Sequence, residues 1–104
     1  MKSIINGFRY DTDKAILIGE ASYGCDGDFS SWEAGLYVTK RARHFFLAGE
    51  GGPMTTWAHR VDQNSFSSGE GIRVLNKTEA LAWAEQYLDA DEIEAGFAED
   101  IQDA

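Results

Sequence analysis

One stretch in the middle of the chain alternates strictly between apolar and polar residues. Its apolar positions are Trp32, Ala34, Leu36 and Val38. A period of two places alternate side chains on opposite faces of a strand, so the stretch 32–40 predicts a strand with one buried face. Residues 40–43 are predicted to form a turn, after which residues 44–48 return antiparallel to that strand.

A hairpin is predicted at the start of the chain. Asn6 and Gly7 stand between two short β-favouring runs, which is the signature of a type I′ turn joining strands at 2–5 and 8–10. Residues 13–21 fit two alternatives. They form either a short helix, capped by Asp11 or Thr12, or a third strand, because the run Ile16–Ile18 is at home in a sheet.

Glycine and polar residues dominate the segments between these elements and the C-terminal part of the chain. We expect an exposed loop at 22–31, a flexible break at 49–53, a turn of helix within 54–61 and a polar loop at 62–71 that includes a turn at 69–71. Residues 72–75 are predicted to form a short strand. Trp57 is expected to be exposed, whereas Trp32 and Trp83 are expected in the core.

Two amphipathic helices are predicted after this strand. Asn76 and Glu79 have the spacing of a capping box, and Asp89 and Glu92 repeat it. The apolar stripe of the first helix, over residues 78–88, consists of Leu81, Ala84 and Leu88, with Ala80, Trp83 and Tyr87 beside it. The second helix has a narrower stripe made of Ile93, Phe97 and Ile101.

These elements predict one α+β domain over residues 1–104, in which a small antiparallel sheet built from hairpins packs against two C-terminal acidic helices. A hydrophobic content of 43% supports a packed core. The single Cys25 cannot form an internal disulfide, and no signal sequence or membrane-spanning run is recognisable. We therefore expect a cytoplasmic protein, and a monomer.

Charge is distributed very unevenly along the chain. From Thr78 onward there is no Lys or Arg, and the acids are Glu79, Glu85, Asp89, Asp91, Glu92, Glu94, Glu99, Asp100 and Asp103. The net charge of −9 belongs to this segment, because acids and bases balance in the rest of the chain. Such a surface repels phosphate, which argues against direct binding of nucleic acid or anionic membranes. It either serves solubility or binds a basic partner.

Candidate chemistry in the sequence is weak. Gly49, Gly51 and Gly52 are followed by Pro53 rather than the Lys of a phosphate-binding loop, and the acids near Asp26 lack the glycine and glutamate of a calcium loop. Cys25, His44 and His59 have no local pattern of nucleophile and base. We expect no enzymatic activity, no cofactor and no metal site.

Several short motifs together resemble a group of small proteins from phages and other mobile elements. They lie at 4–12, 32–39, 45–52, 69–72 and 79–83, so the resemblance extends over almost the whole chain. Some small acidic proteins of such elements are anti-CRISPR proteins, and this chain is similar to them in size and charge; among them we expect the type I-C class. The resemblance implies a protein that blocks the DNA-binding surface of a CRISPR effector, in a bacterial host cell, without catalysis.

On this hypothesis, carboxylates contact the basic surface of the partner by mimicking DNA. The predicted contact residues are Glu85, Asp89, Asp91, Glu92, Glu94, Glu99, Asp100, Asp26, Asp28 and Glu33. The alternative is a mobile-element accessory protein that binds a small ligand or a protein through its glycine-rich loops.

Overall fold

A computed structural model describes residues 1–25 and 28–104 of the chain. The strands are β1 (Lys2–Ile5), β2 (Phe8–Asp11), β3 (Ile16–Tyr23), β4 (Trp32–Val38), β5 (Phe45–Gly51), β6 (His59–Asp62), β7 (Ser65–Ser67) and β8 (Gly69–Leu75). They are followed by helices α1 (Lys77–Tyr87) and α2 (Ala90–Phe97) and a 3-10 turn, Ala98–Asp100. Strands β3, β4, β5 and β8 form an antiparallel sheet in that order, and two hairpins, β1–β2 and β6–β7, stand beside it. The predicted α+β class is confirmed.

The predicted hairpin at the start of the chain is confirmed. Asn6 and Gly7 have φ angles of 52° and 82°, the positive values that both central residues of a type I′ turn need. The alternative left open for residues 13–21 is decided in favour of a strand, because β3 pairs with β4 along its length, with a bulge between Leu17 and Gly19. The exposed loop therefore begins after Tyr23.

Three predictions for the middle of the chain were wrong. Residues 49–51 are not a break, because Gly49 and Gly51 remain paired with β4 and β8 on either side. Residues 54–61 contain no helix, and residues 62–71 contain strand β7 and the start of β8 rather than one loop. Turn 69–71 is likewise part of β8. Glycine suggested flexibility here, but neighbouring strands supply the hydrogen bonds that keep this backbone extended.

A polar turn connects strand β6 to β7, and side chains within this turn stabilise it. The Asn64 amide donates to Asp62 Oδ1 at 2.9 Å, and this bond, together with bonds from Ser65, holds the pKa of Asp62 below its ordinary value. All residues of β6 and β7 are exposed. The β6–β7 hairpin therefore projects from the domain.

One face of the sheet forms the hydrophobic core. The cross-strand pairs Leu36–Leu47 and Val38–Phe45 lie on this face and are buried, as is Phe97 of α2, whose ring stacks on Phe45 at a centroid distance of 4.9 Å. The predicted alternation of β4 is confirmed by this burial. Helices α1 and α2 cover this face and exclude water from it.

The burial of the three tryptophans differs from the prediction, most of all for Trp57. Trp57 is only 6% exposed and packs over Gly49, where an added Cβ would lie 2.6 Å from Trp57 Cζ2. Arg73 covers the indole from 4.9 Å and donates to the Thr56 carbonyl. The prediction of an exposed Trp57 was wrong, because a strand continues where the break was expected. Trp32 and Trp83 are partly buried against the core.

Both helices begin where the sequence predicted. Asn76 Oδ1 accepts from the Glu79 amide at 2.8 Å and Glu79 Oε1 accepts from the Asn76 amide at 2.9 Å, which completes the capping box. Asp89 and Glu92 form the second box. Ile101, however, lies beyond both helices and is 39% exposed, so the predicted stripe of α2 ends at Phe97.

The opposite face of the sheet is covered only in part. Tyr10 of β2 packs edge-on against Phe46 at a centroid distance of 5.4 Å, and its hydroxyl is 3.2 Å from His44 Nδ1. Tyr37 stacks on the same Phe46 at 5.3 Å. The β1–β2 hairpin thus covers the end of the face where Phe46 lies and leaves the other end open.

Candidate functional site

The carboxylates of α1 and α2 divide into those with structural roles and those that face solvent. Asp89 and Glu92 are bound to each other's amides in the second capping box, with distances of 2.9 and 3.2 Å. Within the described part of the chain the salt bridge found is Lys77 Nζ to Asp100 Oδ1, at 2.8 Å. Asp100 is 26% exposed, so this contact and partial burial both limit its access to a partner.

The remaining predicted helix residues project into solvent. Glu85, Asp91, Glu94 and Glu99 are exposed. The buried positions of these helices are Ala80, Ala84 and Phe97, so the exposed acids lie away from the sheet. We call these four exposed acids together the helix surface. Its contact with a partner stays a prediction.

Of the remaining predicted residues, Glu33 belongs to a second acidic surface. Asp26 lies outside the described residues. Asp28 is in the loop after β3, where its carboxylate accepts from the Cys25 amide at 3.3 Å. Glu33 is exposed on the sheet face opposite the helices, since its neighbours in β4, Trp32 and Ala34, turn toward the core.

Glutamates stand side by side across this open face. Glu33 pairs in register with Glu50 of β5, and Glu50 pairs with Glu70 of β8. Adjacent strands are about 4.8 Å apart, so three carboxylates follow one another at roughly that spacing. Glu20 of β3 is diagonal to Glu33, opposite Gly35. Sequence reasoning missed Glu20, Glu50 and Glu70, because their proximity depends on a register between distant strands.

Two adjoining cavities accompany these glutamates. The first, about 610 Å³, lies over Gly35 and Ala48 and is bounded by Glu20, Glu33 and Glu50. The second, about 830 Å³, lies among the loops at the end of the sheet and is also lined by Glu33 and Glu50, together with Glu70. Because the cavities share residues, they form one concave surface. We call it the acidic trough.

The trough affects Tyr37, which lines its first cavity. Burial, and then the negative charges of Glu20 and Asp13, raise the pKa of Tyr37 above its ordinary value of 10.0. Tyr37 is therefore neutral at physiological pH and lies at the covered end of the face, against Phe46.

Of the three residues considered for catalysis, two lie near each other and the third lies elsewhere. Cys25 is exposed and lines the second cavity with His59, while His44 lies against Phe8 and Tyr10 at the other end of the sheet. Across residues 1–25 and 28–104, no three His, Cys, Asp or Glu side chains come together as metal ligands. The described helices are also too short and polar to span a membrane.

Comparison with protein-family models, curated proteins and solved structures gave no match to this chain.

Proposed function

We propose that this protein is a non-catalytic binding protein that occupies a basic, DNA-binding surface of a partner complex. The observation that carries the proposal is the helix surface, where Glu85, Asp91, Glu94 and Glu99 are exposed in a segment without Lys or Arg after Lys77. A CRISPR effector is the proposed target, on the strength of the sequence resemblance to anti-CRISPR proteins.

The physical basis is competition for the same cations. Effectors hold DNA through Lys and Arg side chains that contact phosphates, and each strand of duplex DNA carries about one charge per 3.4 Å of axis. The helix surface alone is less densely charged than that. The row Glu33, Glu50 and Glu70, at about 4.8 Å per strand, comes closer to the spacing in DNA and adds to the negative potential.

The first experiment is capture of a purified type I-C effector complex by the tagged protein, followed by challenge with target DNA at low and raised salt. We expect a complex that no longer binds DNA and that dissociates as salt rises, because exposed charges are screened beyond about 10 Å at 0.1 M salt. Capture that is indifferent to salt, or a captured effector that still binds DNA, would contradict the proposal.

Charge reversal on the helix surface is the second test. The variant Glu85→Lys, Asp91→Lys, Glu94→Lys and Glu99→Lys changes the net charge from −9 to −1. Affinity should fall about a hundredfold or more, chiefly through slower association, because surface charges mainly steer encounter. The fold should survive, since all four side chains are exposed and none belongs to a capping box.

Folding of this variant is checked by circular dichroism and by its melting temperature. Asp91 lies in the first turn of α2, where its loss costs about 0.3–1 kcal/mol through the helix dipole. A folded variant with unchanged affinity for the effector would refute the electrostatic part of the proposal.

The loop cavity supports a second candidate function, the binding of a small ligand. It is about 830 Å³ and is lined by Gly51, Gly52, Cys25 and His59, among others, which is within the size range of ligand pockets. Binding there should respond to Cys25→Ser and hardly to salt. Trp57→Ala is unsuitable as a probe, because Trp57 is a core residue and its loss would leave a cavity.

A further inference from the structure

We propose that the acidic trough on the open face of the sheet receives a basic segment of the partner protein, whose Lys or Arg side chains lie between the glutamates. This inference rests on the proposed function, because it names the part of the protein that makes close contact with the partner. The helix surface then steers the encounter, while the trough holds the bound partner.

The shape of the trough distinguishes it from the helix surface. Its first cavity has a floor of Gly35 and Ala48, whose small side chains leave about 610 Å³ over the sheet. The β1–β2 hairpin and Tyr37 close one end, and loops bound the other. A concave surface bounded by protein focuses the field of its charges more strongly than a convex helix does.

Acidic side chains outnumber the cationic groups of the trough. Its lining in the described part of the chain includes Glu20, Glu33, Glu50, Glu70 and Asp28 and neither Lys nor Arg, although Met1 with its terminal amino group and His59 also lie there. The bases of the turn between β4 and β5, Lys40, Arg41 and Arg43, lie at the opposite ends of these strands, and Arg73 of β8 covers Trp57. The complement of this surface is therefore a segment rich in Lys and Arg.

The register of the glutamates also favours a cationic occupant. Like charges placed directly opposite each other on neighbouring strands destabilise a sheet, and Glu33, Glu50 and Glu70 are consecutive in this way. A cation beside Glu33 or Glu70 would lower this repulsion.

A protein segment fits the trough better than a bare cation does, because the floor is apolar. Gly35, Ala48 and the ring of Tyr37 line the same cavity as the carboxylates. Lys and Arg side chains bury their aliphatic stems on apolar surface and keep the charged group outward. An extended basic segment can satisfy both requirements at once.

The first arm of the test uses a short peptide of alternating arginine and serine as the probe. Titrated into the isotope-labelled protein, it should shift the amide resonances of Glu20, Gly35 and Ala48 and leave those of residues 90–97 nearly unchanged. A matched peptide with glutamine in place of arginine should shift neither group. Shifts confined to α2 would overturn the inference.

The second arm measures the kinetics of the effector complex with two variants of equal charge. The trough variant is Glu20→Gln, Glu33→Gln and Glu70→Gln, and the matched helix variant is Glu85→Gln, Asp91→Asn and Glu94→Gln; each changes the net charge from −9 to −6. The trough variant should dissociate about tenfold faster, because three close charge contacts are lost. The helix variant should mainly associate more slowly.

The outcomes separate the inference from the proposed function. If the trough variant dissociates at the wild-type rate, the trough is not the contact surface, although the proposed function stands. If the peptide binds the trough but no effector is captured by the wild-type protein, the proposed target is wrong and the basic-segment site remains. Melting temperatures of both variants check that each is folded.

Discussion

Tyr37 is the titrating side chain through which the charge of the trough can be measured. Of the two carboxylates that raise the pKa of Tyr37, Glu20 has the larger effect. Glu20→Gln should therefore move this pKa down toward its ordinary value of 10.0. The measurement is the ultraviolet absorbance of tyrosinate during an alkaline titration, with Tyr37→Phe identifying the signal. Glu70→Gln serves as a control, because Glu70 is not among the groups that shift Tyr37.

The same shift makes stability depend on pH. Because the pKa of Tyr37 is raised in the folded state, its contribution to stability is fully present below pH 10.0 and is lost as pH rises through the folded pKa. Tyr37→Phe should therefore reduce the alkaline loss of stability, measured by urea denaturation at several pH values. If the stability of the Tyr37→Phe variant falls with alkaline pH as steeply as that of the wild type, the pKa of Tyr37 is not raised in the folded state.

At the scale of elements, the packing of α2 on β3 depends on the absence of a side chain at Gly96. A Cβ there would lie 2.6 Å from Ile18 Cγ2, and Ile18 is buried and stiff because it is β-branched. Gly96→Ala should therefore destabilise the protein by about 1–3 kcal/mol, although alanine is the better helix former. The free energy of unfolding in urea measures this.

Ala95→Gly provides the matched control on the same helix. Ala95 is exposed, so this change should cost only about 0.5–1 kcal/mol through helix propensity. If Gly96→Ala instead stabilised the protein, the contact between α2 and Ile18 would be looser than the structure shows.

Local signals account for the elements that the sequence predicted correctly. Asn6 and Gly7 determine a turn by their own backbone preferences, and Asn76 with Glu79 determines a helix start within four residues. Strand β7 was missed although it pairs with the neighbouring strand β6 across a short turn. The extension of β5 depends instead on pairing with the distant strand β8. The row Glu33, Glu50 and Glu70 also depends on the register between strands. The acids of the helices could therefore be predicted from the sequence, whereas the trough could not.

At the scale of the whole molecule, the glutamates of the trough and the bases of the turn between β4 and β5 lie at opposite ends of these strands. Glu33 and Lys40 are seven residues apart along β4 and the turn after it, a span of about 23 Å at 3.3 Å per residue. The variant Lys40→Glu, Arg41→Glu makes the net charge −13 instead of −9, at the end away from the trough. We expect its affinity for the effector to change less than about threefold, because charges beyond a Debye length are screened.

Surface plasmon resonance at physiological salt measures this affinity. A large increase for the variant would mean that binding follows total charge and that no particular surface is used. Reversal of Lys40 and Arg41 therefore complements the trough and helix variants, which change charge at the proposed contacts.

The order of elements also bears on how the chain is synthesised. Strands β4 and β5 are complete at Gly51, but the helices that cover their apolar face end only at Phe97. At about 5–20 residues per second, a ribosome needs roughly 2–9 s to add the residues between them. Throughout that time Leu36, Val38 and Leu47 lack their native cover. The sheet can therefore reach its native packing only late in translation or after release.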